Sequence, residues 1–179
     1  MAACHGTNVN VGAVPATMAI APGTQTTTDK VWMLETSGGV VRDTQVVFAR
    51  AAGRTIVMKH ADDQAIFLML HFPAAHDSTP SRDSIRVEVH PVAGQYAVTI
   101  SLPDNVPTGS TGTFSYAIHF KTPSGAAATH PSPGQFEQLV APALVTDTHV
   151  KFLAGNRPAA DMMRFPLTTS GVYALLALR

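Results

Sequence analysis

Hydrophobic and polar residues alternate in three segments near the middle of the chain. Residues 85–90 read Ile-Arg-Val-Glu-Val-His, and residues 96–102 and 114–120 alternate in the same way. A period of two places every second side chain on one face of a β-strand, whereas a helix would scatter the same residues around its axis. The pattern predicts three half-buried strands whose inward-facing residues are Val87, Val89, Tyr96, Val98, Ile100, Phe114, Tyr116, Ile118 and Phe120.

Strand-length segments continue on both sides of this region and are separated by turn residues. They are residues 40–50, 54–60, 65–72, 135–140, 143–147, 149–153 and 171–178. The last of these segments is apolar on both faces. Because no stretch shows sustained helical periodicity, we predict an all-β fold, a single enlarged sandwich of about 8–11 short antiparallel strands.

A short glycine–tyrosine pattern occurs twice. Residues 94–98 read Gly-Gln-Tyr-Ala-Val, and residues 171–175 read Gly-Val-Tyr-Ala-Leu. The pattern resembles strands of Ig-like domains, in which a tyrosine near the start of a strand packs inward and hydrogen-bonds a neighbouring loop. The resemblance implies an Ig-like sandwich, and the architecture carries no function by itself.

The first 29 residues have no clear period and contain mostly small and polar side chains. We interpret residues 1–29 as an extended N-terminal arm or tether, with one short strand at residues 8–14, and residues 30–179 as the sandwich domain. Within the arm, Ala2 and Ala3 directly precede Cys4, the one cysteine of the chain. This sequence resembles the end of a bacterial lipobox, which implies lipidation of Cys4 and attachment to a membrane.

Composition excludes several classes of protein. Twelve basic residues balance twelve acidic ones, so the chain lacks the basic face that nucleic-acid binding needs. A single cysteine excludes an intramolecular disulfide framework, and no apolar run approaches the roughly 18 residues of a membrane span. The many threonines and few charges are typical of exported bacterial β proteins and of virion proteins, so we expect a periplasmic or cell-surface location, with the virion as the alternative.

Catalytic signatures are missing from the sequence. It has no G-x-S-x-G motif and no glycine-rich phosphate-binding motif, and it has three glutamates. We therefore expect a protein that is not an enzyme. A hydrolase whose serine, histidine and aspartate come from distant loops stays open as a third class of function.

Metal binding is the main alternative. Met58-Lys59-His60 and Met69-Leu70-His71 each place a methionine and a histidine on the same face of a strand, because the two residues are two positions apart. Thioether and imidazole ligands suit copper, especially Cu(I), and the set loosely resembles periplasmic copper chaperones of the sandwich type. Pairing His60 with Ala65 across a hairpin would place Ile56 opposite Met69 and stagger the two triplets.

A second candidate for cation binding lies in the turn of that hairpin. His60-Ala61-Asp62-Asp63 offers carboxylate oxygens to a cation, although a polar turn needs no ion.

These observations favour a non-enzymatic, exported structural or accessory subunit of a surface or membrane-associated assembly. Its partners would be proteins, with membrane attachment through a lipidated Cys4 and no cofactor. The alternatives are a periplasmic copper-binding module that uses Met58, His60, Met69 and His71, and a capsid-type or decoration protein.

Overall fold

A computed structural model of the chain describes residues 20–75, 83–116, 118–127 and 133–179. The described residues form fourteen strands, two single-turn 3-10 helices (Thr28–Lys30 and Arg50–Ala52) and two short α-helices. The strands are β1 (Gln25–Thr27), β2 (Val31–Met33), β3 (Glu35–Thr36), β4 (Thr44–Ala49), β5 (Arg54–Lys59), β6 (Ile66–Phe72), β7 (Ser84–Pro91), β8 (Ala97–Ser101), β9 (Thr111–Ser115), β10 (Phe120–Lys121), β11 (Ala141–Val145), β12 (His149–Phe152), β13 (Met162–Pro166) and β14 (Gly171–Leu178). The α-helices are α1 (Ser124–Ala127) and α2 (Pro133–Leu139).

The strands form an all-β sandwich of two antiparallel sheets. The large sheet has the order β1-β12-β11-β14-β8-β7-β4, and β2 also pairs with β14. The small sheet has the order β13-β9-β6-β5, and β3 and β10 form a separate two-stranded ribbon. The predicted all-β fold is therefore confirmed. The number of strands exceeds the expected 8–11 because β1, β2, β3 and β10 are only two or three residues long.

β14 lies at the centre of the large sheet. One of its edges pairs with β11, and the other pairs with β8 through its first half and with β2 through its second half. At the change of partner, three backbone hydrogen bonds of 2.9 Å form a ring: Leu34 N–H to Leu175, Leu175 N–H to Tyr96, and Tyr96 N–H to Leu34. This ring joins three distant parts of the sequence at one point.

The inter-sheet core, the set of buried side chains between the two sheets, is rich in aromatic rings. Phe67 stacks on Tyr96 with ring centroids 5.4 Å apart, and Phe114 stacks on Phe165 at 5.3 Å. Of the nine predicted inward-facing residues, seven are buried here: Val87, Val89, Tyr96, Val98, Ile100, Phe114 and Tyr116.

The other face of the large sheet also contains buried apolar side chains. We call this set the outer cluster; its members are Ile20, Val31, Ala97, Ala141, Ala143, Val150, Phe152, Ala174 and Leu176. β14 contributes alternate residues to the inter-sheet core and to the outer cluster. The apolar character predicted for both faces of residues 171–178 is thus confirmed.

The strand predicted at residues 114–120 ends earlier than the alternation indicates. β9 ends at Ser115, the chain turns, and the Phe120 N–H donates to the carbonyl of Tyr116. As a result Ile118 is 71% exposed, so its predicted place in the core is wrong, whereas Phe120 is partly buried and packs against the inter-sheet core.

The strand predicted at residues 135–140 is also wrong, because this segment forms α2. Proline is favoured in the first turn of a helix, and the glutamine, glutamate and leucine that follow are good helix formers. Phe136, within α2, and Val140, directly after its last residue, lie four residues apart, and both are buried. The apolar spacing of four was the signal for a helix.

Arg157 connects α2 to the sandwich. Its guanidinium donates to the carbonyls of Glu137 and Val140 at the end of α2, and to the hydroxyl of Tyr116 at 2.6 Å. The last carbonyls of a helix lack hydrogen-bond partners within the helix. The partly buried guanidinium of Arg157 supplies such partners at the end of α2.

The large sheet includes part of the predicted N-terminal arm. β1 pairs with β12, and Ile20 packs in the outer cluster. The sheet therefore begins before the boundary expected at residue 29. The strand predicted at residues 8–14 lies outside the described residues.

One of the two glycine–tyrosine patterns has the predicted geometry. Tyr173 is buried, and its hydroxyl donates to the carbonyl of Thr169 at 2.6 Å. Tyr96 is also buried, but its hydroxyl has no hydrogen-bond partner among the described residues. The Ig-like assignment itself stays a prediction.

Candidate functional site

The four residues of the predicted copper set are not brought together. His60 N–H does donate to the carbonyl of Ala65, as expected, but the register shifts between Met58 and Lys59. Val57, and not Ile56, therefore lies opposite Met69. Residues opposite each other share a face, so the bulge turns the two triplets to opposite faces of the small sheet.

Each triplet has an ordinary structural environment. Met58 is buried in the inter-sheet core, whereas Met69 is partly exposed on the outer face of the small sheet. His71 is exposed and lies 3.2 Å from the hydroxyl of Thr55 through its Nδ1 atom. Of the two histidines in the predicted set, His60 and not His71 lies in a group of three histidine, cysteine or carboxylate ligands among the described residues.

That group is the histidine cluster, which consists of His60, Asp62 and His119. One ring nitrogen of each histidine and one carboxylate oxygen of Asp62 lie within 4.8 Å of one another. His60 follows the end of β5, Asp62 lies in the hairpin turn after it, and His119 lies in the turn before β10. The cluster forms because the turn at residues 118–119 packs against the β5–β6 hairpin, with the two imidazole centroids 4.4 Å apart.

His60 is fully buried and is held through one nitrogen. Its Nδ1 lies 2.9 Å from the carbonyl oxygen of Gly39. A carbonyl only accepts hydrogen bonds, so Nδ1 carries the proton and Nε2 keeps its lone pair. Nε2 is buried and has no hydrogen-bond partner among the described residues.

His119 is oriented by a carboxylate. Its Nε2 lies 2.8 Å from Oδ2 of Asp63. The hydrogen bond from the backbone N–H of Ala65 is the largest cause that lowers the pKa of Asp63 below its usual value, and the hydrogen bond from His119 lowers it further. A carboxylate oxygen only accepts, so Nε2 of His119 carries the proton of this hydrogen bond, and the neutral form of the ring has its lone pair on Nδ1.

Two consecutive glycines lie against the cluster. A Cβ atom on Gly38 would lie 2.5 Å from Cε1 of His60 and 2.8 Å from Cδ2 of His119. A Cβ atom on Gly39 would lie 2.7 Å from the carboxylate carbon of Asp62, and the Gly39 N–H donates to that carboxylate at 3.0 Å. Any larger residue here would push the three side chains apart.

Clefts flank the histidine cluster on two sides. One has a volume of about 280 Å³ and is lined by Gly38, Gly39 and Phe67, among others. The other, of about 190 Å³, is lined by His119 and Tyr96, among others. Small molecules or ions therefore have space next to the cluster.

The sequence signals for this cluster were incomplete. The sequence predicts the His60–Asp63 turn as a source of oxygen ligands for a cation, but its alternating pattern predicts a strand at His119. Nothing in the spacing of residues 60 and 119 indicates that they meet, because the turn at residues 118–119 interrupts the apparent strand.

A second candidate feature is the edge of the large sheet. β4 pairs with β7 over six consecutive residues and has no other strand partner within the described ranges. It contains no charged residue and no proline, and its Val47 is 57% exposed. β5, at the edge of the small sheet, includes Arg54 and Lys59, and the bulge in its pairing with β6 lies at Phe67 of β6.

Comparison of the chain with protein-family models, with curated protein sequences and with solved structures finds no match. Among the described residues, no helix is long and apolar enough to cross a membrane. Cys4, the predicted lipidation site, lies outside the described residues.

Proposed function

We propose that this chain is a non-enzymatic structural or accessory subunit, and that β4 is the edge through which it joins a larger protein assembly. The observation that carries the proposal is the exposed, uncharged six-residue edge of the large sheet. A free strand edge presents a row of backbone N–H and C=O groups that can pair with a strand of another chain.

The other edge strands have features that block such pairing. β5 contains two positive charges and has a shift of register in its pairing with β6, and β13 contains Arg164 and ends at Pro166. β1 is only three residues long. Charges, prolines, bulges and short length are the usual protections of edge strands, and β4 has none of them.

The first partner to test is a second copy of the chain. Two uncharged β4 strands can pair antiparallel about a twofold axis without placing like charges opposite each other. Two β5 strands would bring lysine and arginine side chains close together. Pairing through β4 would extend the large sheet from one subunit to the next, as a structural subunit requires.

We expect the wild-type chain to self-associate with increasing concentration in sedimentation experiments. Val47→Lys should abolish this association, because it places a charge on the pairing edge. Val57→Lys on β5 is the matched control, since Val57 is also an exposed edge valine and is 45% exposed. A wild-type chain that stays monomeric, or equal effects of both substitutions, would contradict pairing through β4.

The location of the subunit belongs to the same proposal. The charge-poor, threonine-rich sequence supports export to the periplasm or the cell surface, and the residues before Cys4 support anchoring by lipid. Assembly through an exposed strand edge suits a capsid-type or decoration protein equally, and that alternative places the chain in a virion.

A further inference from the structure

We propose that the histidine cluster is a binding site for one borderline divalent metal ion of the Zn²⁺ type. His60, His119 and Asp62 would supply two imidazole nitrogens and one carboxylate oxygen, and solvent would fill the remaining position. This site is independent of β4 and of the assembly proposed above.

The hydrogen bonds of both histidines prepare them for metal binding. Metal-bound histidines commonly donate their other N–H to a backbone carbonyl or to a carboxylate, which fixes the ring and its tautomer. His60 does so to Gly39 at 2.9 Å, and His119 does so to Asp63 at 2.8 Å. Each ring therefore has one nitrogen with a free lone pair.

One ring nitrogen of His60 is buried without a hydrogen-bond partner among the described residues. Burying a polar atom without a partner is costly, and such atoms are rare in folded proteins. Nε2 of His60 is buried and unpartnered within the described part of the chain. A metal–nitrogen bond would satisfy it.

The carboxylate is also positioned before any ion binds. Asp62 accepts from the N–H of Gly39 through Oδ2 and from the N–H of Asp63 through Oδ1, both at 3.0 Å. Each oxygen retains a further lone pair for a metal. Asp62 is exposed, so an ion can reach the site from solvent.

The donor set selects the class of metal. Two imidazoles and one carboxylate, with an open position, suit Zn²⁺ and related divalent ions. Cu(I) prefers thioether and thiolate ligands, whereas this cluster offers two imidazole nitrogens and one carboxylate oxygen. Ligand atoms at about 2.1 Å from Zn²⁺ lie roughly 3.4 Å apart, a spacing that fits within the 4.8 Å that contains one ligand atom of each of the three residues.

The test is a calorimetric titration of the full chain with Zn²⁺ against a competing chelator, together with the visible absorption of Co²⁺ bound in its place. We expect one equivalent of Zn²⁺ to bind and to raise the thermal midpoint. His119→Ala and Asp62→Ala should weaken binding by about 100-fold or more, because each removes a direct ligand. Gly38→Ala should weaken it without removing a ligand, because its methyl group would separate the two rings.

His90→Ala is the matched control. His90 also bonds an aspartate, Asp43, at 2.9 Å, but it belongs to no three-residue ligand group among the described residues. Its substitution should leave binding unchanged. The absence of stoichiometric binding by the wild type, or equal losses in His90→Ala and His119→Ala, would overturn the site. If His119→Ala does not fold, the Zn²⁺ affinity of Asp62→Ala, a substitution at an exposed position, tests the site in its place, and unchanged affinity would overturn it.

A copper site would give the opposite pattern. Stoichiometric metal binding that survives His119→Ala and Asp62→Ala but is lost in Met58→Leu or His71→Ala would overturn the proposed site in favour of the methionine–histidine set.

Discussion

The two faces of the large sheet bury apolar side chains of very different size. Toward the small sheet, the core contains stacked and edge-to-face rings, such as those of Phe67, Tyr96 and Phe114. On the opposite face, four of the nine members of the outer cluster are alanines. Two packed sheets lie about 10 Å apart, and aromatic side chains fill this space well. Small side chains instead leave a flat sheet surface that another backbone can approach closely.

Leu175 and Leu176 show this difference within one strand. They are adjacent in β14, identical in type and both fully buried, but Leu175 belongs to the inter-sheet core and Leu176 to the outer cluster. Because the two side chains are identical, a difference between the effects of their substitution reports the packing around each leucine.

We expect Leu175→Ala to lower the free energy of unfolding by about 3–5 kcal/mol, and Leu176→Ala by about 2–3 kcal/mol. The cavity left by Leu175 lies among side chains held from both sheets, so it collapses poorly. Urea denaturation of both variants measures the difference. Equal losses, or a larger loss for Leu176→Ala, would mean that the outer cluster is packed as rigidly as the inter-sheet core.

Alkaline pH should lower the free energy of unfolding through tyrosines of the inter-sheet core. The described outer cluster contains no tyrosine and should not contribute to this loss. Burial raises the pKa of Tyr96 to about 12, whereas a tyrosine of the unfolded chain ionises near 10. The neutral hydroxyl is thus favoured by folding. Its contribution is complete below a pH of about 10 and is lost as the pH rises toward about 12, by roughly 2–3 kcal/mol.

Urea denaturation between a pH of about 9 and about 12 measures this loss, with Tyr96→Phe as the control. The phenylalanine variant keeps the ring and should lose less stability in that interval. Burial also raises the pKa of Tyr116, so some decline should remain in the variant. Identical pH profiles of the two proteins would exclude Tyr96 as a source of the decline.

Enlarging a side chain of the outer cluster tests how closely that face is covered. Ala143 is fully buried, so Ala143→Leu should cost about 1–3 kcal/mol by overpacking. Ala154→Leu, at an exposed position, should change stability by less than about 0.5 kcal/mol. Thermal unfolding of both variants measures the difference. If Ala143→Leu leaves stability unchanged, the outer face accommodates a larger side chain without strain.

The alternation of side chains was enough to predict the sheets but not their interruptions. Val87, Val89 and Ile100 occupy the core as predicted, because their strands are straight and half-buried. Ile118 continues the same alternation and still lies in a turn, since hydrophobic period alone does not indicate where a strand ends. Residues 135–140 were predicted as a strand although Phe136 and Val140 have a spacing of four, because one such pair is too little periodicity to distinguish a helix from a strand.

The candidate metal site was only half predictable. His60 and Asp62 are close in sequence, and a hairpin turn brings them together. The bulge between Met58 and Lys59 has no signal in the sequence, and it moves Met69 to the other face of the small sheet. The approach of His119 depends on the packing of a distant turn, which local patterns do not encode.

The position of β14 has a consequence for the order of folding. β14 follows every other described strand in the sequence, yet it separates β11 and β12 from β8, β7 and β4 in the large sheet. During synthesis these two groups therefore leave the ribosome before the strand that joins them, each with an edge that β14 will later cover. The large sheet can close only after residues 171–178 emerge, and contacts between distant segments form slowly. Until then, the group β8-β7-β4 and the group β1-β12-β11 each expose the edge that β14 covers in the folded sheet.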